Sequence, residues 1–76
     1  MTTLVAPHEY FGPITHELMN DPVVAEDGNT YERVSIETWF ATETEKGYYT
    51  SPITGTKIGN VLLENTTLKK LIRDYM

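Results

Sequence analysis

The stretch Asp21-Pro22-Val23-Val24-Ala25-Glu26-Asp27-Gly28-Asn29-Thr30-Tyr31-Glu32-Arg33, leading into Ile36-Glu37-Thr38-Trp39-Phe40, decides the fold. Val23-Val24-Ala25 is a short β-prone run, Glu26-Asp27-Gly28-Asn29 carries Asp-Gly turn chemistry, and Thr30-Tyr31 returns as a second strand. From about Arg33 to Thr44 the spacing predicts a helix, because Ile36, Trp39 and Phe40 fall at i, i+3 and i+4 on one face. Glu32 near its start suits the positive end of the helix dipole, and Gly47 is the expected stop after Glu43-Thr44-Glu45-Lys46.

Upstream, between Tyr10 and Pro22, two prolines and a glycine break regularity. Phe11, Ile14, Leu18 and Met19 are nonetheless too apolar for a solvated loop, so this segment reads as an ordered loop packed partly inward. Downstream, Tyr48-Tyr49-Thr50 leads into a second partly apolar loop, Ser51-Pro52-Ile53-Thr54-Gly55, and Val61-Leu62-Leu63 is expected as a strand beside the hairpin. Asn65 then caps a last helix in which Leu68, Leu71, Ile72, Tyr75 and Met76 form a stripe of period 3.6. Residues 1–9 read as a loose lead-in and 10–76 as one domain. The architecture expected is small α+β: a short antiparallel sheet, a central helix, a C-terminal helix and two long loops. Because the stripe still runs at Met76, the chain reads as an excised domain, with Tyr75 and Met76 able to pair with a second copy or with further residues.

A chain of 76 residues buries only about 60–65% of its unfolded surface, so its core is marginal and needs a staple. With no cysteine, disulfides and thiolate metal sites are both closed. His8 and His16 lie in different segments and outside any paired ligand motif, and they read as exposed or hydrogen-bonded imidazoles. No metal or cofactor is expected. The remaining staple is a polar network of Asp, Glu, Asn, Ser and Thr, useful only where its buried members are satisfied. The missing cysteines fit a reducing compartment, and no apolar run spans a bilayer, so a cytoplasmic or nuclear setting without membrane contact is expected. A net charge of -5 argues against nucleic acid and for a protein partner with a basic contact surface. Asn65-Thr66-Thr67 matches a glycosylation acceptor, but a helix N-cap accounts better for it.

No segment pairs a nucleophile with an orienting base, and without cysteine this chain cannot carry a thioester. Glu43 and Glu45 read as a solvated helix end rather than a catalytic pair. No catalytic residue is therefore assigned. Binding is better supplied: Ile14 beside the stiffening Pro13, Pro52 and Ile53 in the second loop, and Trp39 on the helix between them can wall a shallow groove. Core packing and partner anchoring weigh evenly for Trp39, as do turn formation and contact for Pro52. Phe40, Leu68, Leu71 and Ile72 are assigned to the core. Asp21, Asp27, Arg33, Glu37, Thr54 and Asn65 are the side chains expected to cross-tie the loops.

These segments in this order resemble the U-box, the domain of ubiquitin-protein ligases that looks like a RING finger without zinc. The resemblance rests on Pro13-Ile14-Thr15, Glu17-Leu18-Met19, Asp21-Pro22-Val23-Val24, Gly28-Asn29-Thr30-Tyr31-Glu32-Arg33, Ile36-Glu37-Thr38-Trp39-Phe40, Pro52-Ile53-Thr54 and Leu63-Glu64-Asn65 with Leu68-Lys69-Lys70-Leu71-Ile72, in register from Tyr10 to Met76. It implies a RING/U-box-like fold that docks a ubiquitin-conjugating enzyme on two loops and the central helix. The docked enzyme's thioester-linked ubiquitin is held ready for a lysine of a substrate bound elsewhere in the full-length protein, with no covalent intermediate on the ligase. Ile14, Pro52 and Trp39 match the family's loop and helix contacts, with Ile53 beside them, and polar ties stand in for zinc. Gly12 stands where the family often has cysteine, Glu64 replaces a frequent proline, and the stretch from Trp39 to Pro52 is longer than in many members. Gly55 falls where many active members carry Arg, Asn or Gln, a side chain that can bridge conjugating enzyme and ubiquitin, with Lys57 nearby as a substitute. The alternative function is therefore a U-box-like module that holds a substrate or scaffold partner without activating transfer.

Overall fold

The Asp-Gly turn closes the hairpin: in a computed structural model that describes residues 7–76, β1 (Pro22–Val24) pairs antiparallel with β2 (Thr30–Glu32), and Val23 faces Tyr31. Gly28 sits at φ 82°, a left-handed conformation that glycine adopts without steric cost, and the Ala25 amide bonds the Asn29 carbonyl across the turn at 3.0 Å. Val23 and Tyr31 are both fully buried.

Helix α1 (Arg33–Thr42) leaves the hairpin at once, and its first amide, that of Arg33, bonds the Asp21 carbonyl at 3.0 Å. Ile36 and Phe40 turn inward and join Val23, Ala25 and Tyr31 in the core, with Trp39, Tyr49, Ile58 and Leu62 packed against them. The helix ends earlier than its periodicity suggests. A 3-10 turn, Thr44–Lys46, carries the chain to Gly47, which stops it at φ 82°.

A second hairpin was not expected: β3 (Tyr49–Thr50) pairs antiparallel with β4 (Lys57–Ile58), and the second loop is its connection. The Phe40 and Tyr49 rings, with centroids 4.9 Å apart, fasten it to α1. Strand β5 (Leu63–Glu64) then adds to β1, giving the sheet order β2-β1-β5. It begins later than the expected Val61-Leu62-Leu63 run because the Val61 amide bonds the Glu26 carboxylate at 3.0 Å rather than a strand neighbour.

The last helix, α2 (Thr66–Tyr75), starts where expected, with the Asn65 side chain accepting from the Leu68 amide at 3.1 Å. Its stripe is only partly covered. Ile72 is buried and Leu68 half-buried, but Leu71 is 48% exposed, which corrects its assignment to the core. The helix meets the sheet along the arc around Ile72, and a five-residue stripe is wider than that contact. Of the loose lead-in expected over 1–9, residues 1–6 lie outside the described residues; His8–Tyr10 form a 3-10 turn, and the Tyr10 ring meets Tyr75 edge-on at 5.8 Å.

Candidate functional site

The first loop is a closed turn. Phe11 bridges Leu18, the Gly12 amide bonds the Glu17 carbonyl at 2.9 Å and the His16 amide bonds the Gly12 carbonyl at 2.8 Å. Met19 and Gly12 are buried, whereas Ile14 at the tip is 40% exposed beside the half-buried Pro13. An isoleucine displayed on an ordered, bonded turn has little conformational freedom left to lose on binding. His16 completes the turn at φ 62°, a region non-glycine residues seldom enter.

The second loop is fixed by Ser51, which is almost wholly buried. Its hydroxyl donates to Asp27 at 2.6 Å and accepts from the amides of Ile53 and Thr54, each at 3.1 Å. Its amide bonds the Thr56 carbonyl at 2.9 Å, and its carbonyl accepts from Gly55 at 2.9 Å. Pro52 is thereby held half-buried and Ile53 displayed, 54% exposed. Asp27 in turn accepts from the Tyr31 hydroxyl at 2.6 Å and the Asn29 amide at 2.9 Å, so one carboxylate joins the first hairpin to the second loop.

The electrostatics follow from those bonds. Burial pushes the Asp27 carboxyl up, but donors from Ser51, Tyr31 and Asn29 outweigh it and hold the group below the usual carboxylate range. The Tyr31 phenol is pushed up to about 12 by burial and by its bond to Asp27.

Helix α1 reaches the same loop from the other side. The Trp39 indole donates to the Thr50 carbonyl at 2.8 Å and is itself half-buried, so the ring serves packing and surface at once. Glu43, expected at a solvated helix end, is instead buried at 2% exposure. Its carboxylate accepts from the Thr50 amide at 2.8 Å, from the Thr50 hydroxyl and from Lys46 at 3.1 Å. A signal for this lay in the sequence: Ile36, Phe40 and Glu43 stand at i, i+4 and i+7, which puts the glutamate on the inward stripe.

The two loops share a hollow of about 520 Å³, walled by Phe11, Pro13 and His16 from the first loop and Ile53 from the second, with Gly28 and Asn29 of the hairpin turn below. The expected site residues fall as follows. Ile14 is at one loop tip, Pro52 and Ile53 are at the other, and Trp39 bonds the residue that leads into the second loop. Among the expected polar ties, Asp27 joins hairpin to second loop. Asp21 accepts from Arg33 at 2.6 Å, Asn65 caps α2 and donates to the Thr30 hydroxyl at 3.4 Å, and Thr54 bonds Thr56 at 2.8 Å. Glu37 is exposed and enters none of the side-chain hydrogen bonds among the described residues, so it does not tie the loops. Glu32 takes a share of that work, accepting from the Asn20 and Asp21 amides at 2.7 and 2.8 Å. Among the described residues no cluster of three or more His, Asp or Glu side chains could hold a metal ion.

A closed apolar turn, a helix carrying a half-buried indole and a serine-anchored proline turn, bonded together by carboxylates, define a small RING-like α+β domain. The family model of the U-box domain matches residues 6–76, and the chain belongs to that family of ubiquitin-ligase domains. It is 45% identical over 67 residues, 88% of its length, to a probable bifunctional E2/E3 enzyme of Acanthamoeba polyphaga mimivirus. It is 46% identical over 87% of its length to a WD repeat, SAM and U-box domain-containing protein of Danio rerio, and 47% identical over 83% of its length to a U-box domain-containing protein of Arabidopsis thaliana. The chain spans 5%, 13% and 9% of the lengths of those three relatives, respectively.

Proposed function

We propose that this domain docks a ubiquitin-conjugating enzyme on Ile14, Trp39, Pro52 and Ile53 and promotes transfer of its ubiquitin to substrate lysines. The observation that carries the reading is the pair of rigid loops. Ile14 and Ile53 stay exposed at 40% and 54% while the backbone beneath each is pinned by hydrogen bonds within its turn and, at the second loop, to Asp27 through Ser51. Apolar anchors on prearranged turns bind with a small ordering cost, which suits a partner that must be engaged and released. Holding the conjugating enzyme's thioester in reactive orientations accelerates attack by a lysine without any nucleophile on this chain. The substrate binds elsewhere in the full-length protein, in a cytoplasmic or nuclear setting, and ubiquitin itself is touched only while carried by the conjugating enzyme. The exposed Tyr75 and Met76 offer a contact for a second copy.

Titrating the domain against a panel of conjugating enzymes tests this. Binding to at least one, weakened about tenfold or more by Ile14→Ala, is expected; binding to none, or no effect of Ile14→Ala, defeats it. Gly55 favours a second reading, in which the domain holds a partner without activating transfer. It stands in the second loop, just after Thr54, at φ 76° and has no side chain to bridge conjugating enzyme and ubiquitin. Discharge of a preloaded conjugating enzyme onto free lysine separates the two, since binding without faster discharge is the scaffold's signature.

A further inference from the structure

Thr50 is gripped on three polar groups immediately before the second loop. Its amide and hydroxyl bond the Glu43 carboxylate and its carbonyl bonds the Trp39 indole, so both partners come from the last turn of α1 and its C-cap. From Thr50 the chain runs straight into Ser51, Pro52 and Ile53. Taking the docking surface proposed above as the starting point, we infer that Glu43 is a positioning residue for conjugating-enzyme docking: its buried carboxylate sets where Pro52 and Ile53 stand relative to Trp39.

The geometry directs the carboxylate's bonds to the root of the second loop. Among the described residues the Glu43 carboxylate bonds none of the sheet β2-β1-β5, of the first loop or of α2; its partners there are Thr50 and Lys46. Lys46 is half-exposed, so that ion pair is screened by water and contributes little. The bonds to Thr50 are part-buried and charge-assisted, the stronger kind. Burial pushes the Glu43 carboxyl up, but the Thr50 and Lys46 donors prevail and keep it below the usual carboxylate range, so it stays an acceptor at neutral pH. Removing it orphans the Thr50 amide, and the amide's simplest escape is rotation toward water, which swings the loop's root and slackens the indole bond at the adjoining peptide, on the other side of the Thr50 Cα.

The test uses four variants of the domain, each titrated with a conjugating enzyme that binds the wild type, alongside heteronuclear NMR of the Trp39 indole and the isoleucine methyls. Glu43→Met, close in volume but without acceptors, is expected to weaken binding about tenfold, and Glu43→Gln, whose carbonyl can still take the Thr50 amide, to restore part of that. Lys46→Met is expected to change affinity less than about twofold. In Glu43→Met the indole proton exchanges faster and the Ile53 methyls shift, while those of Ile14 and Ile72 hold still. If Glu43→Met does not fold, Thr50→Val, which removes only the hydroxyl, carries the test with an expected loss of about threefold. Wild-type affinity in the variant, or Ile14 and Ile72 shifting as much as Ile53, overturns the inference and leaves the docking surface intact. A wild type that binds no conjugating enzyme removes both together.

Discussion

Replacing Asp27 by asparagine probes the tie on which the two-loop surface most depends. The carboxylate takes three donors, the hydroxyls of Tyr31 and Ser51 at 2.6 Å each and the Asn29 amide at 2.9 Å. The asparagine carbonyl can replace either oxygen: it keeps the Asn29 amide while its NH2 faces two hydroxyls that have been donating, or it keeps both hydroxyls, now without the charge, while its NH2 faces the Asn29 amide. The Ser51 oxygen is already accepting from Ile53 and Thr54 and has little capacity to reverse. Hydrogen bonds to a charged group contribute about 1.5–3 kcal/mol each, and partial re-bonding recovers some of this, so a net loss of about 3 kcal/mol follows. A domain of 76 residues has about 4–11 kcal/mol in all, and each kcal/mol moves the midpoint by about 4–8 °C, so Tm should fall by about 12–24 °C. Trp39, the only tryptophan, bonds the residue preceding Ser51 and gives a fluorescence signal for the melt. Combining Asp27→Asn with Ser51→Ala should cost less than the sum of the two single variants, because the Asp27–Ser51 bond is shared between them, although Ser51→Ala also strips the acceptor from the Ile53 and Thr54 amides. A loss below about 1 kcal/mol, or full additivity of the two, refutes the idea that this carboxylate holds the second loop.

The pH profile has two limbs. Asp27 and Glu43 have folded pKa values below their unfolded ones, so their stabilisation is present above about pH 4 and is lost as pH falls through the lowered values. Asp27→Asn should flatten that acid limb in melts collected from pH 7 downward. Tyr31 has the opposite sign: its raised pKa stabilises the fold fully below about pH 10, and that contribution disappears as pH rises toward about 12, an alkaline limb that Tyr31→Phe should remove. Ile36→Ala, at a position with no exposure, should cost about 2–5 kcal/mol by urea unfolding. Leu71→Ala, at 48% exposure, should cost under about 1 kcal/mol. Asn65→Ala should remove about 1 kcal/mol by opening the α2 N-cap, with amide exchange accelerated at Leu68.

The elements with strong local chemistry were legible in the residues. Asp27-Gly28 names its turn, Asn65 names its cap, and the exposed Ile14 beside Pro13 announces a displayed loop, because each signal acts within a few residues of itself. What escaped has a tertiary cause. Strands β3 and β4 are two residues each, too short for an alternation to appear, and they exist because Tyr49 finds the Phe40 ring. Glu43 read as a solvated end by its chemical type, whereas its position on the inward stripe and the donors of Thr50 decided its burial. Leu71 went the other way, since a periodic stripe says which residues share a face but not how wide the surface opposite is. Ser51 carries the second loop's geometry, yet a Ser-Pro pair is so common in ordinary turns that its role emerges only when Asp27 is seen beside it.

The docking surface itself is reached most directly by titrating the isotopically labelled domain with an unlabelled conjugating enzyme from the panel and mapping resonance shifts along the chain. The largest changes should fall on the Ile14 and Ile53 methyls and the Trp39 indole, with α2 undisturbed. Saturable binding whose shifts gather on Leu71 and Tyr75, leaving those three residues unmoved, would contradict it.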